Sequence, residues 1–141
     1  MFGMSRNPTA AYRQVGNETT AVEADPHRLI LMLFDGALAS IAIARLRMQQ
    51  NNVPEKGAAI SKAIDIVTNG LQASLNAEQG GELAERLGAL YDYISHRLLW
   101  ANLKNDIAAL DEAAHLLGEL HSAWSAIATE KTDNAATKEA L

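Results

Sequence analysis

The sequence predicts an all-α fold, an antiparallel four-helix bundle with a short N-terminal cap helix, and three observations carry that reading. Apolar residues recur at three- and four-residue spacing through four long segments. Short capping and turn signals separate those segments, and the sustained period-two alternation of half-buried strands is missing. At 141 residues without cysteine, the chain is long enough to bury a core without disulfide or metal staples. The expected organisation is a cap segment and linker over residues 1–24, the bundle over 25–129, and a polar, disordered tail over 130–141.

The first element is the run Asn7-Pro8-Thr9-Ala10-Ala11-Tyr12-Arg13-Gln14-Val15-Gly16, a short helix with a proline near its start and a glycine at its end. It is too short to hold itself together, so it lies on something else or remains mobile. Asp25-Pro26 then supplies an N-cap and a first-turn proline, from which a helix runs over residues 27 to about 50, until Asn51-Asn52-Val53-Pro54 stops it. Its stripe is Ile30, Phe34, Ala37, Ile41, Ala44 and Met48. Residues 29–34 are apolar all round, so that end, Leu29 and Leu33 included, needs cover on several sides. The second helix covers roughly 55–75 with Ile60, Ile64, Val67, Leu71 and Leu75 on one side and Gly70 weakening it slightly. The fourth starts at a cap offered by Asn105-Asp106 and reaches about residue 129. Leu110, Leu117 and Trp124 repeat every seven residues there, as do Ala113, Leu120 and Ile127, which makes an a/d seam.

The third helix, about 81–103, opens at Gly80-Gly81 and carries more apolar surface than one core needs. At about 100° per residue, Leu83, Leu87, Leu90, Ile94, Leu98 and Ala101 share a core-facing row. Ala89, Tyr93, His96 and Trp100 form a second row well away from the first. Large aromatic side chains off the core face point to a docked occupant, which is the N-terminal segment, a second copy of the chain in a structural homodimer, or a foreign chain.

Composition narrows the function. The net charge of −5 and the lack of any Lys/Arg cluster argue against nucleic acid as partner. Between Lys104 and Lys131 there is no Lys or Arg, while Asp106, Asp111, Glu112, Glu119 and Glu130 fall in that stretch, which reads as a solvated acidic face. The N-terminus lacks the apolar region of a signal peptide, and no apolar run approaches the roughly 18 residues of a membrane span, so a soluble, cytoplasmic protein without membrane insertion is expected.

Chemistry-bearing motifs are sparse. Glu112-Ala113-Ala114-His115 has the Glu-x-x-His spacing of carboxylate-bridged di-iron bundles, but no second copy exists and both residues lie off the Leu110-Leu117-Trp124 seam. His96 is the candidate for a histidine phosphotransfer domain, yet Trp100 stands one turn later, where a docking receiver needs a small residue. His27, His115 and His121 lack partners at ligand or catalytic spacing and read as cap, surface or seam residues. No phosphate loop or nucleophile elbow occurs, so neither a catalytic residue nor a metal or other cofactor is assigned.

Several spaced motifs, taken together, resemble the flagellin-specific export chaperones of the bacterial flagellar secretion system, the FliS family. They are Ala11-Tyr12, Asp25-Pro26-His27-Arg28-Leu29-Ile30-Leu31-Met32-Leu33-Phe34-Asp35-Gly36-Ala37, Gly80-Gly81-Glu82-Leu83-Ala84, Leu90-Tyr91-Asp92-Tyr93, Ala101-Asn102, and Leu116-Leu117 through Leu120 to Ala123-Trp124. The chain departs from the family pattern at Asn76, Arg86 and Phe34, where Asp, Asn and Tyr are common. The resemblance implies a cytoplasmic, non-enzymatic binder of the disordered C-terminal region of flagellin that prevents premature polymerisation and assists delivery to the export gate. It implies further that a segment bearing the tyrosine matching Tyr12 covers part of the client surface, and other flagellar regulators are additional partners of some members. The candidate partner-binding residues are Tyr12, Leu29, Leu33, Leu71, Leu87, Leu90, Tyr93 and Trp100.

Overall fold

Asp25 and Pro26 set where the first helix begins. In the computed structural model, which describes residues 25–140, α1 runs Pro26–Gln49, and the Asp25 carboxylate accepts the His27 backbone N–H at 3.1 Å. The helix ends where Asn51 enters the left-handed region at φ 59°. Asn52 N–H then reaches back to the Arg47 carbonyl at 2.9 Å and Asn51 N–H to that of Met48 at 3.1 Å, a Schellman ending with asparagine in the usual glycine position. The same Asn52 caps the next helix: its side chain accepts Glu55 N–H at 3.2 Å and donates to the Glu55 carboxylate at 3.0 Å.

Helix α2 spans Val53–Asp65 and passes without a break into a π-helical stretch, Ile66–Gln72. The 3.6-residue stripe did not anticipate that widening. A side chain at Gly70 would place its Cβ 3.1 Å from Leu33 Cδ2, so the bare backbone there lets this stretch approach α1 closely. Helix α3 is Ala77–Lys104 with one interruption, Gly81 at φ 50° and ψ −126°, a conformation suited to glycine. Gly80 fills a different need, since a Cβ there would lie 2.7 Å from that of Ala84. The long helical part therefore starts at the glycine pair, as the sequence indicates.

The α3–α4 turn repeats the α1–α2 solution. Asn105 is left-handed at φ 50°, Asp106 N–H bonds the Ala101 carbonyl at 3.1 Å, and the Asp106 carboxylate caps α4 through Ala109 N–H at 3.2 Å. Helix α4 is Ile107–Ala140, extending past residue 129 where the apolar stripe stops. The extra residues are rich in alanine, lysine and glutamate, whose intrinsic propensity favours helix without any stripe.

Helix α1 packs on α2 and α4, and α3 packs on the same two, while the diagonal pairs keep their backbones apart. That is the square of an up-down-up-down bundle, and no strand occurs among the described residues. The centre is filled by Phe34, Ile60, Val67, Leu71, Ile94, Leu98, Leu110 and Leu117, all fully buried. The predicted α1 stripe holds, with Ile30 only partly buried. On α3 the inward row is shifted: Ala84, Tyr91, Ile94, Leu98 and Ala101 are buried, whereas Leu83 is 65% exposed.

By length and composition α1 is apolar enough to cross a membrane, an 18-residue window of it having mean hydropathy 2.0, although Asp35 and Arg45 interrupt any continuous apolar run. Here it is a bundle helix, with Asp35 on its exposed side. The acidic stretch of α4 is exposed, as expected, and its carboxylates take partners. Asp111 pairs with Arg45 at 2.8 Å, Glu112 with Arg97 at 2.6 Å, and His115 with Glu119 at 3.1 Å.

Lys56 joins the two Asn-capped turns. Only 4% exposed, it donates to the Asn102 carbonyl at 2.9 Å and to the Asn105 side chain at 2.7 Å, placing a cation at the negative end of α3. Replacing Lys56 by Met keeps the stem and removes both bonds, so chemical denaturation should show a loss of about 2 kcal/mol. A loss within measurement error would show that this bridge does not hold the turns together.

Candidate functional site

The two Asn-capped turns close one end of the bundle; the other end is open. There the start of α1, the end of the α2 and π-helical run, the start of α3 and the later half of α4 stand apart around a groove of about 860 Å³. Its walls continue the core stripes. Helix α1 gives Pro26, His27, Leu29, Ile30, Leu33 and Phe34; α3 gives Gly80, Leu83, Ala84, Leu87 and Tyr91; α4 gives Leu120, Ala123, Trp124 and Ile127. Ser74, Leu75 and Asn76, in the link before α3, complete it, and no lining residue is an acid, a lysine or an arginine. Each helix presents residues three and four apart, so the same periodicity that fills the core lower down lines the groove above.

Polar contacts fasten the seams. Trp124 Nε1 donates to the His27 carbonyl at 3.2 Å and its ring lies 4.8 Å from that of His27, tying the far part of α4 to the first turn of α1. His121 adds a contact of Nε2 with the Asp35 carboxylate at 2.9 Å and an edge contact with Phe34. Across the opposite seam, Gln72 donates to the Gly88 carbonyl at 3.3 Å and the Asp92 carboxylate at 2.9 Å. These bonds hold the walls in register while leaving the apolar faces between them unpaired.

Of the residues predicted to bind a partner, Leu29, Leu33 and Leu87 meet in this groove. Leu71 is core, 1% exposed, and Leu90 is partly buried against the core. Tyr93 and Trp100 stand on the outer part of α3, facing α4. The Tyr93 hydroxyl donates to Glu112 at 2.6 Å, and Trp100 Nε1 donates to Asp106 at 3.2 Å beneath the Lys104 ammonium. Their polar tips thus serve the α3–α4 seam, and the hydrogen bonds from Tyr93 and then Arg97 hold the Glu112 carboxyl below its usual pKa. Tyr12 and the N-terminal cap helix lie outside the described residues. Glu112 and His115 engage separate partners, and no cluster of three metal-ligating side chains occurs among the described residues.

A family profile described as Flagellar protein FliS matches residues 8–131. The chain belongs to the FliS family. It is 50% identical over 117 residues to the flagellar secretion chaperone FliS of Salmonella typhimurium strain LT2, an overlap covering 83% of this chain and 87% of that relative. It is 46% identical over 116 residues to the flagellar secretion chaperone FliS of Escherichia coli strain K12, covering 82% and 85% of the two chains. The flagellar secretion chaperone FliS of Bacillus subtilis strain 168 is 35% identical over 129 residues, covering 91% and 92%.

Several groove residues of this FliS-family chain escaped the list of candidates drawn from the sequence. Leu83 was assigned to the core; the break at Gly81 starts the helix where its neighbours have already parted, and the side chain stands on the groove rim. Tyr91 was noted only within a motif, yet it is 4% exposed and lines the groove floor. Burial pushes its phenol up to about 12 from an ordinary value of 10.0. Between those values the folded chain keeps a proton that the unfolded chain releases, so this group's share of stability is intact below pH 10 and drains away as pH rises toward 12. An absorbance titration should therefore show one tyrosine ionising last, near pH 12, and Tyr91→Phe should remove that step. If the late step survives the substitution, Tyr91 is not the desolvated phenol.

Proposed function

We propose that this chain is a cytoplasmic, non-enzymatic chaperone of flagellar type III export, which holds the C-terminal region of flagellin, prevents its premature polymerisation and assists its delivery to the export gate. The observation that carries the reading is the groove: about 860 Å³, walled by three helices and the link before α3, and free of acids, lysines and arginines. Membership of the FliS family and the printed names of the relatives, flagellar secretion chaperones, support the same conclusion.

The magnitudes favour a long apolar client site over a small pocket. Ordering one residue of a disordered client costs about 1–2 kcal/mol of backbone entropy, while burying one leucine or phenylalanine side chain returns about 1.5–3 kcal/mol. A single anchor barely offsets the residue that carries it, so a client that folds on binding needs several anchors at helical spacing. Leu29, Leu33, Leu83 and Leu87 offer such a series on two facing walls, the helix-in-groove mode of peptide recognition.

Residues 1–24 join the bundle at Asp25, beside Pro26 and His27 on the groove wall. Our reading gives Tyr12 the role of covering part of the surface until the client displaces it. A groove covered by its own chain binds in proportion to its uncovered fraction, which lowers apparent affinity and eases release. Tyr12→Ala should alter affinity for a flagellin C-terminal peptide with helical content unchanged; an identical affinity would remove Tyr12 from the mechanism.

The groove itself is tested at Leu83, exposed enough to change without disturbing the core. Co-purification of the intact chain with a flagellin C-terminal fragment should be stoichiometric, and Leu83→Asp should weaken capture at least tenfold. Trp100→Ala, outside the groove, should have a smaller effect. A chain that forms dimers and ignores the fragment would sink the chaperone reading, and a larger effect at Trp100 would move the main contact to the outer face of α3.

A further inference from the structure

Tyr91 sits where the packed core gives way to the groove. Toward the groove end of α3 come Leu87 and Ala84, and on the core side come Ile94 and Leu98. Aromatic side chains on a helix lean toward its N-terminus, which in α3 is the groove end, so the phenol is carried out of the core and onto the groove floor. That floor is made by the buried members of the lining, Phe34, Ala84 and Tyr91, and the Tyr91 hydroxyl is the only polar group among their side chains. It makes no hydrogen bond among the described residues, and desolvation alone raises its pKa. On the walls, Ser74 spends its hydroxyl on the Leu71 carbonyl at 2.7 Å and Trp124 its N–H on the His27 carbonyl at 3.2 Å. His27 Nδ1 is the one unpaired side-chain atom among the described residues that is also cut off from solvent. The Tyr91 oxygen is not cut off: unpaired, it opens on the groove.

We infer that the Tyr91 hydroxyl reads the client: it hydrogen-bonds one neutral side chain, an amide or a hydroxyl, on the otherwise apolar stripe of the bound flagellin segment, and so sets that segment's register in the groove. The inference rests on the chaperone reading above. An open groove lets solvent serve the hydroxyl, but a client filling the floor expels that solvent. An apolar side chain at this point would strand the phenol, whereas a polar one takes over its hydrogen bond. The partner is neutral because the lining has no acid, lysine or arginine, so an ionised client group would lose its hydration with no opposite charge to meet it. It is a side chain because a helix laid in a groove turns side chains toward the floor, while its main-chain amides are bonded within the helix. Phenol suits both kinds of partner, donating to an amide or hydroxyl oxygen and accepting in return. A lone polar contact in an apolar seam fixes register in coiled coils, where leucine contacts alone tolerate slippage.

The test uses the full-length chain and a flagellin C-terminal peptide. Tyr91→Phe keeps the ring and removes the oxygen; affinity should fall roughly tenfold, the loss expected for one buried hydrogen bond. The thermal midpoint of the free chain should stay at or above the parent's, because the hydroxyl bonds no other residue there; a purely structural hydroxyl would give the opposite pair of results. Replacing the neutral polar residues of the peptide by alanine, one at a time, should reveal one position that costs affinity with the parent and costs almost nothing with Tyr91→Phe. In the parent, the carbon-13 resonance of Tyr91 Cζ should move on saturation with peptide, and by less with the peptide altered at that position. Parent-like affinity in Tyr91→Phe, or an unmoved Cζ resonance while other groove signals saturate, would overturn the assignment. So would a loss in Tyr91→Phe that couples to no single client side chain, which would put the partner on the client's main chain. Failure of the parent itself to bind the peptide would overturn the chaperone reading, and this assignment with it.

Discussion

The buried ammonium of Lys56 is the contact on which the architecture of the bundle turns. It reaches from the first turn of α2 to the carbonyl end of α3 and to the asparagine that ends that helix. Both helix–helix turns at this end are short, and in each a left-handed asparagine terminates one helix and the next residue caps the following one. Such short turns leave no slack. With Lys56 bridging them, the four helices are gathered at one end, and the space left by imperfect packing collects at the other. The groove is thus a consequence of where the bundle is tied.

That division explains the composition of α1. Over its second half only Ser40, Ile41, Ala44 and Met48 are buried, the narrow stripe of an ordinary bundle helix. Over its first half Leu29, Ile30, Leu33 and Phe34 all reach the groove, and the helix becomes apolar around most of its circumference. One helix therefore lines two compartments, and an 18-residue window of it reaches a mean hydropathy of 2.0. Asp35 remains on the exposed side and is answered by His121, so the apolar surface ends in a charged seam. Helix α4 shows the same change along its length: Leu110, Ala113 and Leu117 are core, and the heptad positions that follow, Leu120, Trp124 and Ile127, line the groove.

Periodicity made much of this legible and stopped where angular position ceases to determine environment. Asp25-Pro26 and Asn105-Asp106 announced two helix starts because capping is local, a matter of one side chain and an amide two or three residues on. The stripes of α1 and α4 were legible because an apolar row must face something. Whether it faces a packed neighbour or an opening depends on helices distant in sequence, which is why Leu83 was placed in the core and Tyr91 was not. The second row of α3 has partners that periodicity could not name: Tyr93 and Trp100 are amphipathic, and the carboxylates that hold their polar tips lie on α4 and at its cap. The partners of the solvated acidic stretch of α4 were illegible for the same reason, since Arg45 and Arg97 come from other helices. The π-helical stretch left no stripe signal at all, although Gly70 marks where it meets Leu33.

An apolar groove solves the affinity problem of a carrier and creates a problem of precision. Dispersion and desolvation reward any well-shaped apolar surface, so leucine walls tolerate many alignments of a client that repeats its own apolar residues every three or four positions. A misaligned client loses little, because one turn of slippage replaces one leucine contact by another. Directional contacts are different: a hydrogen bond misplaced by one residue is lost outright, and the buried group it leaves behind is penalised as well. A groove that must hold a chain firmly, in one register, and still let it go is therefore best built from many weak apolar contacts and very few polar ones. The lining of this groove has that composition, apolar side chains from α1, α3 and α4 with a few polar groups such as the Tyr91 phenol and the His27 ring among them.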